Sequence, residues 1–274
     1  GEHIAKVPLA STADIEQAVS AARSAQHEFR LWSALERAEL CSRIASAVAT
    51  EVAEIARIQT LEQGKPYQAE SLDDIAEANQ YFLNAAEDIK RLDGRVIPTS
   101  DRNKRMFTFH RPVGVWAAIT PWTFPVTIPL EYIGPGLAAG NAVIVKPPEF
   151  TPWSLLTLAK AFDAAEVPKG LISIIPGGAS IGEMLVTHDG IDAIGFTGSS
   201  ATGKRILSQM GVKRSIMEMS GNGPTIVAAD ANLPAAAELA VYGAYYNAGQ
   251  VCCATERVIV VDAVHDEFVD LANE

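Results

Sequence analysis

The sequence predicts an α/β protein: a doubly wound parallel sheet preceded by helices. Three observations predict it. Short, continuously apolar runs alternate with helical segments from Val113 onward, the pattern of strands buried on both faces. Before residue 90 the apolar residues recur at helical spacing instead. The residues with chemical potential fall just after predicted strands, where doubly wound sheets bind their ligands.

From Thr12 to Lys90 the pattern predicts three helices. Ala18, Ala22, Ala25, Phe29 and Trp32 mark the first. Leu40, Ile44, Ala47, Val48, Val52 and Ile55 mark the second, which Gly64-Lys65-Pro66 stops. The third runs from Ser71 to Ile89. A polar stretch from Asp93 to Lys104 leads into Arg105–Phe109, whose β-rich composition predicts a strand or hairpin. Sheet strands are expected at Val113–Ile119, Ala142–Lys146, Ile172–Ile175, Ala193–Phe196 and Thr225–Ala228. Helices are expected at Val126–Ala139, Pro152–Ala165, Ile181–Val186 and Ala201–Met210. A helix over Asn232–Asn247 precedes a strand, Arg257–Val261, and a last helix from near Val264. That last strand has no visible partner in the sequence.

The chain has 274 residues, 48% hydrophobic and 20% charged, which is globular usage with room for two domains. A net charge of -11 disfavours nucleic-acid and anionic-membrane partners. No stretch approaches the ~18 apolar residues of a membrane span, and Gly1–Ala10 has no signal-peptide pattern. Three cysteines, two of them adjacent, suit a reducing cytoplasm and make no disulfide framework. No His/Cys/carboxylate spacing calls for a metal.

Four segments carry candidate chemistry. Lys146-Pro147-Pro148-Glu149 places a donor and an acceptor at a strand end, within reach of one ribose. A proline-rich turn with a solvated ion pair fits it as well. Thr197-Gly198-Ser199 opens a helix whose N–H groups can hold a phosphate, or are merely capped. Glu218 lies in an apolar run that would raise its pKa if buried, as a general base wants; a surface glutamate at a strand edge is the other reading. Asn247–Ala254 carries Cys252 and Cys253 past a glycine turn, either a nucleophile or two small core residues.

Taken in order, these segments resemble the aldehyde dehydrogenase superfamily along nearly the whole chain. Leu61–Pro66 and Pro121-Trp122-Thr123-Phe124-Pro125 match the same family. The resemblance implies a Rossmann-like NAD-binding domain over 1–93 and 112–219. It implies an oligomerisation hairpin over 94–111, and the beginning of a second α/β catalytic domain over 220–274. It implies oxidation of an aldehyde to a carboxylic acid in a homo-oligomer. Cys252 is then the nucleophile, Glu218 the base that activates water, and Thr123 an oxyanion donor. Lys146 and Glu149 hold the adenosine ribose, and Gly198 and Ser199 the pyrophosphate. Thr120, Pro121, Trp122 and Met219 complete the cofactor site. The Glu149 carboxylate repels a 2′-phosphate, so NAD is expected over NADP.

Three departures qualify the resemblance. Thr123 stands where the family usually has Asn; an oxyanion donor is typically worth ~10²–10³ in turnover. Tyr132 replaces a lysine. Glu131 stands where enzymes for acid semialdehydes often carry arginine, which disfavours a carboxylate-bearing substrate. The sequence also stops soon after Cys252, before the family's Glu-x-Phe-Gly-Pro segment. On its own the chain is therefore expected to be weakly active or inactive, the alternative being a nucleotide- or partner-binding fragment. A coenzyme-A-acylating relative is disfavoured by Glu218.

Overall fold

A computed structural model describes residues 3–273. The chain divides into two compact units, one ending at Glu218 and one beginning at Met219.

The first unit opens with α1 (Thr12–Phe29) and α2 (Ala34–Gln63). Each begins in a reciprocal cap: Ser11 with Asp14, and Ser33 with Glu36, exchange side-chain and backbone bonds that satisfy otherwise unpaired N–H groups. Gly64, at φ +92, closes α2 in the left-handed conformation glycine adopts most readily. One π-helical turn over Tyr67–Ser71 leads into α3 (Leu72–Asp88). The expected hairpin is present as an antiparallel pair, β1 (Val96–Ile97) with β2 (Met106–Phe107).

The large sheet has five strands: β3 (Val115–Ile119), β4 (Ala142–Lys146), β5 (Ile172–Ile174), β6 (Ala193–Thr197) and β7 (Arg214–Glu218). All pairings are parallel, in the order β5-β4-β3-β6-β7. β3, β4 and β6 are almost wholly buried, as their continuous apolar runs require. The helices between them are α4 (Thr127–Ala138), α7 (Ala179–Thr187) and α8 (Ser200–Gln209). The segment expected as one helix over Pro152–Ala165 is two short ones, α5 (Trp153–Thr157) and α6 (Ala159–Ala164). From β3 the chain steps outward to β4 and β5, then returns to the other side of β3 for β6 and β7. That reversal opens a crevice between β3 and β6 at the carboxyl ends of the strands.

Two expectations about strands need correction. The fifth strand of the large sheet is Arg214–Glu218, not Thr225–Ala228. It is an edge strand exposed along most of its length, so it carries no apolar run to announce it. The segment expected at 225–228 forms β8 (Gly223–Val227), which belongs to the second unit. There it pairs in parallel with β9 (Thr255–Val260), the strand that lacked a partner in the sequence reading. α9 (Leu233–Tyr245) makes the crossover, and α10 (His265–Asn273) packs on it. Val227, Leu233, Ala237, Ala240 and Phe268 form the core of this unit.

Candidate active site

A cleft of about 440 Å³ opens in the first unit at the switch point of the sheet. It gathers seven of the residues expected to bind cofactor: Thr120, Pro121 and Trp122 after β3, Lys146 at the end of β4 and Glu149 just past it, Gly198 and Ser199 after β6. Consecutive strand ends of a parallel sheet lie side by side, so residues up to 79 positions apart converge because each lies at the end of its own strand or a few positions past it.

Lys146 is the last residue of β4, and its side chain is buried. Its Nζ donates to the carbonyl oxygens of Pro147 at 2.7 Å and Gly177 at 2.9 Å. An ammonium has three protons, so one remains for a ligand. Burial holds the Lys146 pKa below its ordinary value, against the opposing pull of Glu149. Glu149 is exposed at the mouth of the cleft. A Cβ on Gly178 would lie 2.5 Å from Glu149 Oε1, so the absence of a side chain at 178 is what admits this carboxylate. Thr120 Oγ1 is buried and has no hydrogen-bond partner among the described residues, a polar atom left over in the cleft lining.

Ser199 caps α8, accepting from Thr202 N–H at 3.2 Å. The helix N-terminus faces the cleft through Gly198, Ser199 and Thr202, with the positive potential of its unpaired N–H groups. The opposite wall contains residues the sequence reading missed. Glu183 on α7 accepts from Arg205 Nη2 at 3.0 Å and from Gln209 Nε2 at 2.9 Å, both on α8. These bonds, Gln209 first, hold the Glu183 carboxyl below its usual pKa. Helical spacing placed all three on exposed faces, and only the sheet topology turns those faces toward the cleft.

The tract carrying Thr123 is anchored from below. Gln63 Nε2 donates to Thr123 O at 2.7 Å. Lys65, with a fully buried side chain, donates to Asp74 Oδ2 at 2.7 Å and lies 3.8 Å from the centre of the Phe124 ring. Asp74 also accepts from Gln59 Nε2 at 2.8 Å and from Thr127 Oγ1. One buried carboxylate thus ties α2, α3 and the start of α4 together. Glu131 on α4 accepts from Tyr81 OH at 2.6 Å, while burial pushes its carboxyl pKa upward. Tyr132 OH and Thr197 Oγ1 are 3.0 Å apart at the end of β6.

Glu218 ends β7, and its backbone oxygen accepts from Gly198 N–H at 3.0 Å. Its side chain is exposed, so the apolar burial that would have lifted its pKa is not there. An edge strand has a neighbour on one side only.

In the second unit, α9 ends in a kink of three consecutive left-handed residues: Asn247 (φ 50), Ala248 (φ 56) and Gly249 (φ 76). Asn247 and Gln250 clasp each other, Asn247 Nδ2 to Gln250 O at 3.1 Å and Gln250 Nε2 to Asn247 O at 3.0 Å. A four-residue turn follows, closed by Ala254 N–H to Val251 O at 3.1 Å, with Cys252 and Cys253 at its centre. Both thiols are exposed. Partial desolvation raises the Cys252 pKa, and Cys253 beside it raises it further. A Cβ on Gly221 would lie 1.8 Å from Cys252 O, so only glycine lets this segment, two residues past Met219, run against the cysteine turn.

A profile of the aldehyde dehydrogenase family matches residues 1–274, and the chain belongs to that family. Glutarate-semialdehyde dehydrogenase of Pseudomonas aeruginosa is 38% identical over 98% of this chain and 56% of its own length. The structure of succinate-semialdehyde dehydrogenase from Burkholderia pseudomallei is 40% identical, with a TM-score of 0.95 over 99% of this chain and 57% of that one. An NADP-dependent enzyme from E. coli superposes with a TM-score of 0.96 at 35% identity, covering 100% of this chain and 57% of that one. The chain spans about half the length of the curated relatives it matches.

Proposed function

We propose that this protein oxidises an aldehyde to a carboxylic acid with a nicotinamide dinucleotide, NAD in preference to NADP. The observation that carries the reading is the cleft at the switch point. A free donor on Lys146, an exposed acceptor on Glu149 and the N-terminus of α8 lie around one cavity there. That donor set fits the group: a ribose needs a donor and an acceptor, and a pyrophosphate needs N–H groups and positive potential.

Lys146 and Glu149 hold the adenosine ribose, and Gly198 and Ser199 receive the pyrophosphate. Thr120, Pro121, Trp122 and Met219 frame the rest of the site. The exposed Glu149 carboxylate repels a 2′-phosphate. Bound there, the dinucleotide supplies the hydride acceptor that turns the adduct on Cys252 into a thioester. Cys252 attacks the aldehyde carbon as its thiolate. Its raised pKa keeps the thiol protonated at neutral pH, so the attack needs a base at the moment of addition. The Thr123 hydroxyl and the Cys252 N–H donate to the oxyanion. Glu218, solvated and at a strand end, takes a proton from the water that releases the acid. Glu131, with its carboxylate engaged by Tyr81, favours aldehydes without a carboxylate of their own. The 94–111 hairpin, with Val96, Phe107 and Phe109 exposed, serves assembly of like subunits.

Calorimetric titration with NAD and NADP, followed by a steady-state assay with simple aldehydes, tests the reading. Tighter binding of NAD, and a Glu149→Gln variant that shifts the NADP/NAD ratio upward about tenfold, are expected; that shift corresponds to ~1.4 kcal/mol. Absence of binding to either dinucleotide overturns the proposal. Binding with no oxidation by the full protein leaves a nucleotide-binding protein.

A further inference from the structure

The segment that carries Glu149, Pro147 to Pro152, runs from the end of β4 to the start of α5. Pro148, Glu149 and Phe150 line the cofactor cleft on one side and a second cavity, of about 220 Å³, on the other. The segment is therefore a partition with open space on both faces. Its middle offers little hold. Glu149 and Phe150 are exposed, and Thr151 Oγ1 is buried with no hydrogen-bond partner among the described residues. Such a segment is fixed by its two ends.

At the β4 end, Lys146 Nζ donates to Pro147 O at 2.7 Å. At the α5 end the hold comes from another helix. Glu62, next to last in α2, accepts from Trp153 N–H at 2.8 Å through Oε2 and from Ser154 N–H at 3.0 Å through Oε1. Ser154 Oγ donates to the same Oε1. Bonds to an ionised carboxylate are stronger than those between neutral groups. Glu62 does not line the cleft, but it shares the second cavity with Glu149. Weakening its grip frees the α5 end, and the cavity gives the segment room to move.

We propose that Glu62 is a positioning residue for cofactor choice: by anchoring the start of α5 it keeps the Glu149 carboxylate at the mouth of the cleft. The role rests on the reading of that cleft as a dinucleotide site. Glu62 acts through Glu149, whose repulsion of a 2′-phosphate weakens with distance. Residues coupled through a shared cavity or a backbone shift depart from additivity, so the two carboxylates do not act independently.

The test is calorimetric titration of the full chain with NAD and with NADP, on wild type, Glu62→Gln, Glu149→Gln and the double variant. Glu62→Gln is expected to raise the NADP/NAD binding ratio about threefold, and the double variant no further than the roughly tenfold of Glu149→Gln alone. Ser154→Ala, which removes one of the three donors to Glu62, shifts the ratio the same way by less and carries the test if Glu62→Gln does not fold. A role confined to stability lowers the urea midpoint and leaves the ratio unmoved; that result overturns the proposal. So does a double variant that reaches the product of the single shifts, about thirtyfold. Wild type that binds neither dinucleotide overturns this role together with the function proposed above. Normal wild-type binding with an unmoved ratio in the variants overturns this role alone.

Discussion

Replacing Lys65 by methionine is expected to destabilise the first unit by about 3–4 kcal/mol. The pair it breaks is unusually dry: the side chains of Lys65 and Asp74 are 0% and 2% exposed, with Nζ and Oδ2 2.7 Å apart. Removing one partner of a buried pair typically costs ~3–5 kcal/mol, because the other charge is left uncompensated. Asp74 keeps two donors, Gln59 Nε2 and Thr127 Oγ1, which pulls the figure toward the lower end. Loss of the Lys65 charge over Phe124 adds about 1–2 kcal/mol, of which a methionine sulfur recovers part by its own contact with the ring. Urea unfolding followed by tryptophan fluorescence measures the effect. All four tryptophans precede Glu218, so the signal belongs to the first unit. The midpoint should fall with an unchanged slope. A Lys65→Met, Asp74→Leu double variant should recover much of the loss, since an apolar pair leaves no buried charge. A loss below about 1 kcal/mol would put the pair in the range of exposed ion pairs and refute the reasoning.

Four further outcomes are expected. Ser199→Ala removes the α8 cap and should lower first-unit stability by about 1 kcal/mol in the same urea assay. Iodoacetamide at pH 8 should label Cys252 and Cys253 but not Cys41, whose thiol burial pushes up to about 12; labelling of Cys41 before unfolding would contradict that burial. Because its folded pKa lies above its ordinary 9.0, the Cys41 contribution is intact below pH 9 and lost as pH rises toward 12, so wild type should lose stability relative to Cys41→Ala by at most ~1.4 kcal/mol per pH unit there. Gly221→Ala forces a Cβ onto the Cys252 carbonyl and should destabilise the second unit by about 1–3 kcal/mol, read by faster hydrogen exchange in β9; unchanged exchange would show that the segment has room to move.

Much of the fold was legible because burial writes itself as period. The strands β3, β4 and β6 are apolar but for the last residues of β4 and β6, and α1 to α3 carry apolar residues at helical spacing. β7 was not legible: Arg214-Ser215-Ile216-Met217-Glu218 is an exposed edge, and nothing forces an apolar run on it. The pairing of β8 with β9 was hidden by α9 between them, since parallel partners need a crossover and leave no local turn to read. The place of Lys146, Glu149 and Ser199 along the cleft was legible because each lies at or just past a strand end. Lys65 could not, because the sequence marks it only as part of a helix stop, and its burial depends on Asp74 arriving from another helix. The left-handed Asn247 and Ala248 were equally silent, with Gly249 alone hinting at a turn.

The β8–β9 pairing also sets an order of events during synthesis. The five strands of the large sheet are all on the chain once Glu218 is made. β8 follows within ten residues, but its partner is completed only some thirty residues later, at Val260. At ~5–20 residues per second, a nascent chain carries the completed β8 unpaired for about 2–7 s. During that interval Ile226 and Val227 belong to a strand with two open edges, each a template for pairing with a wrong neighbour.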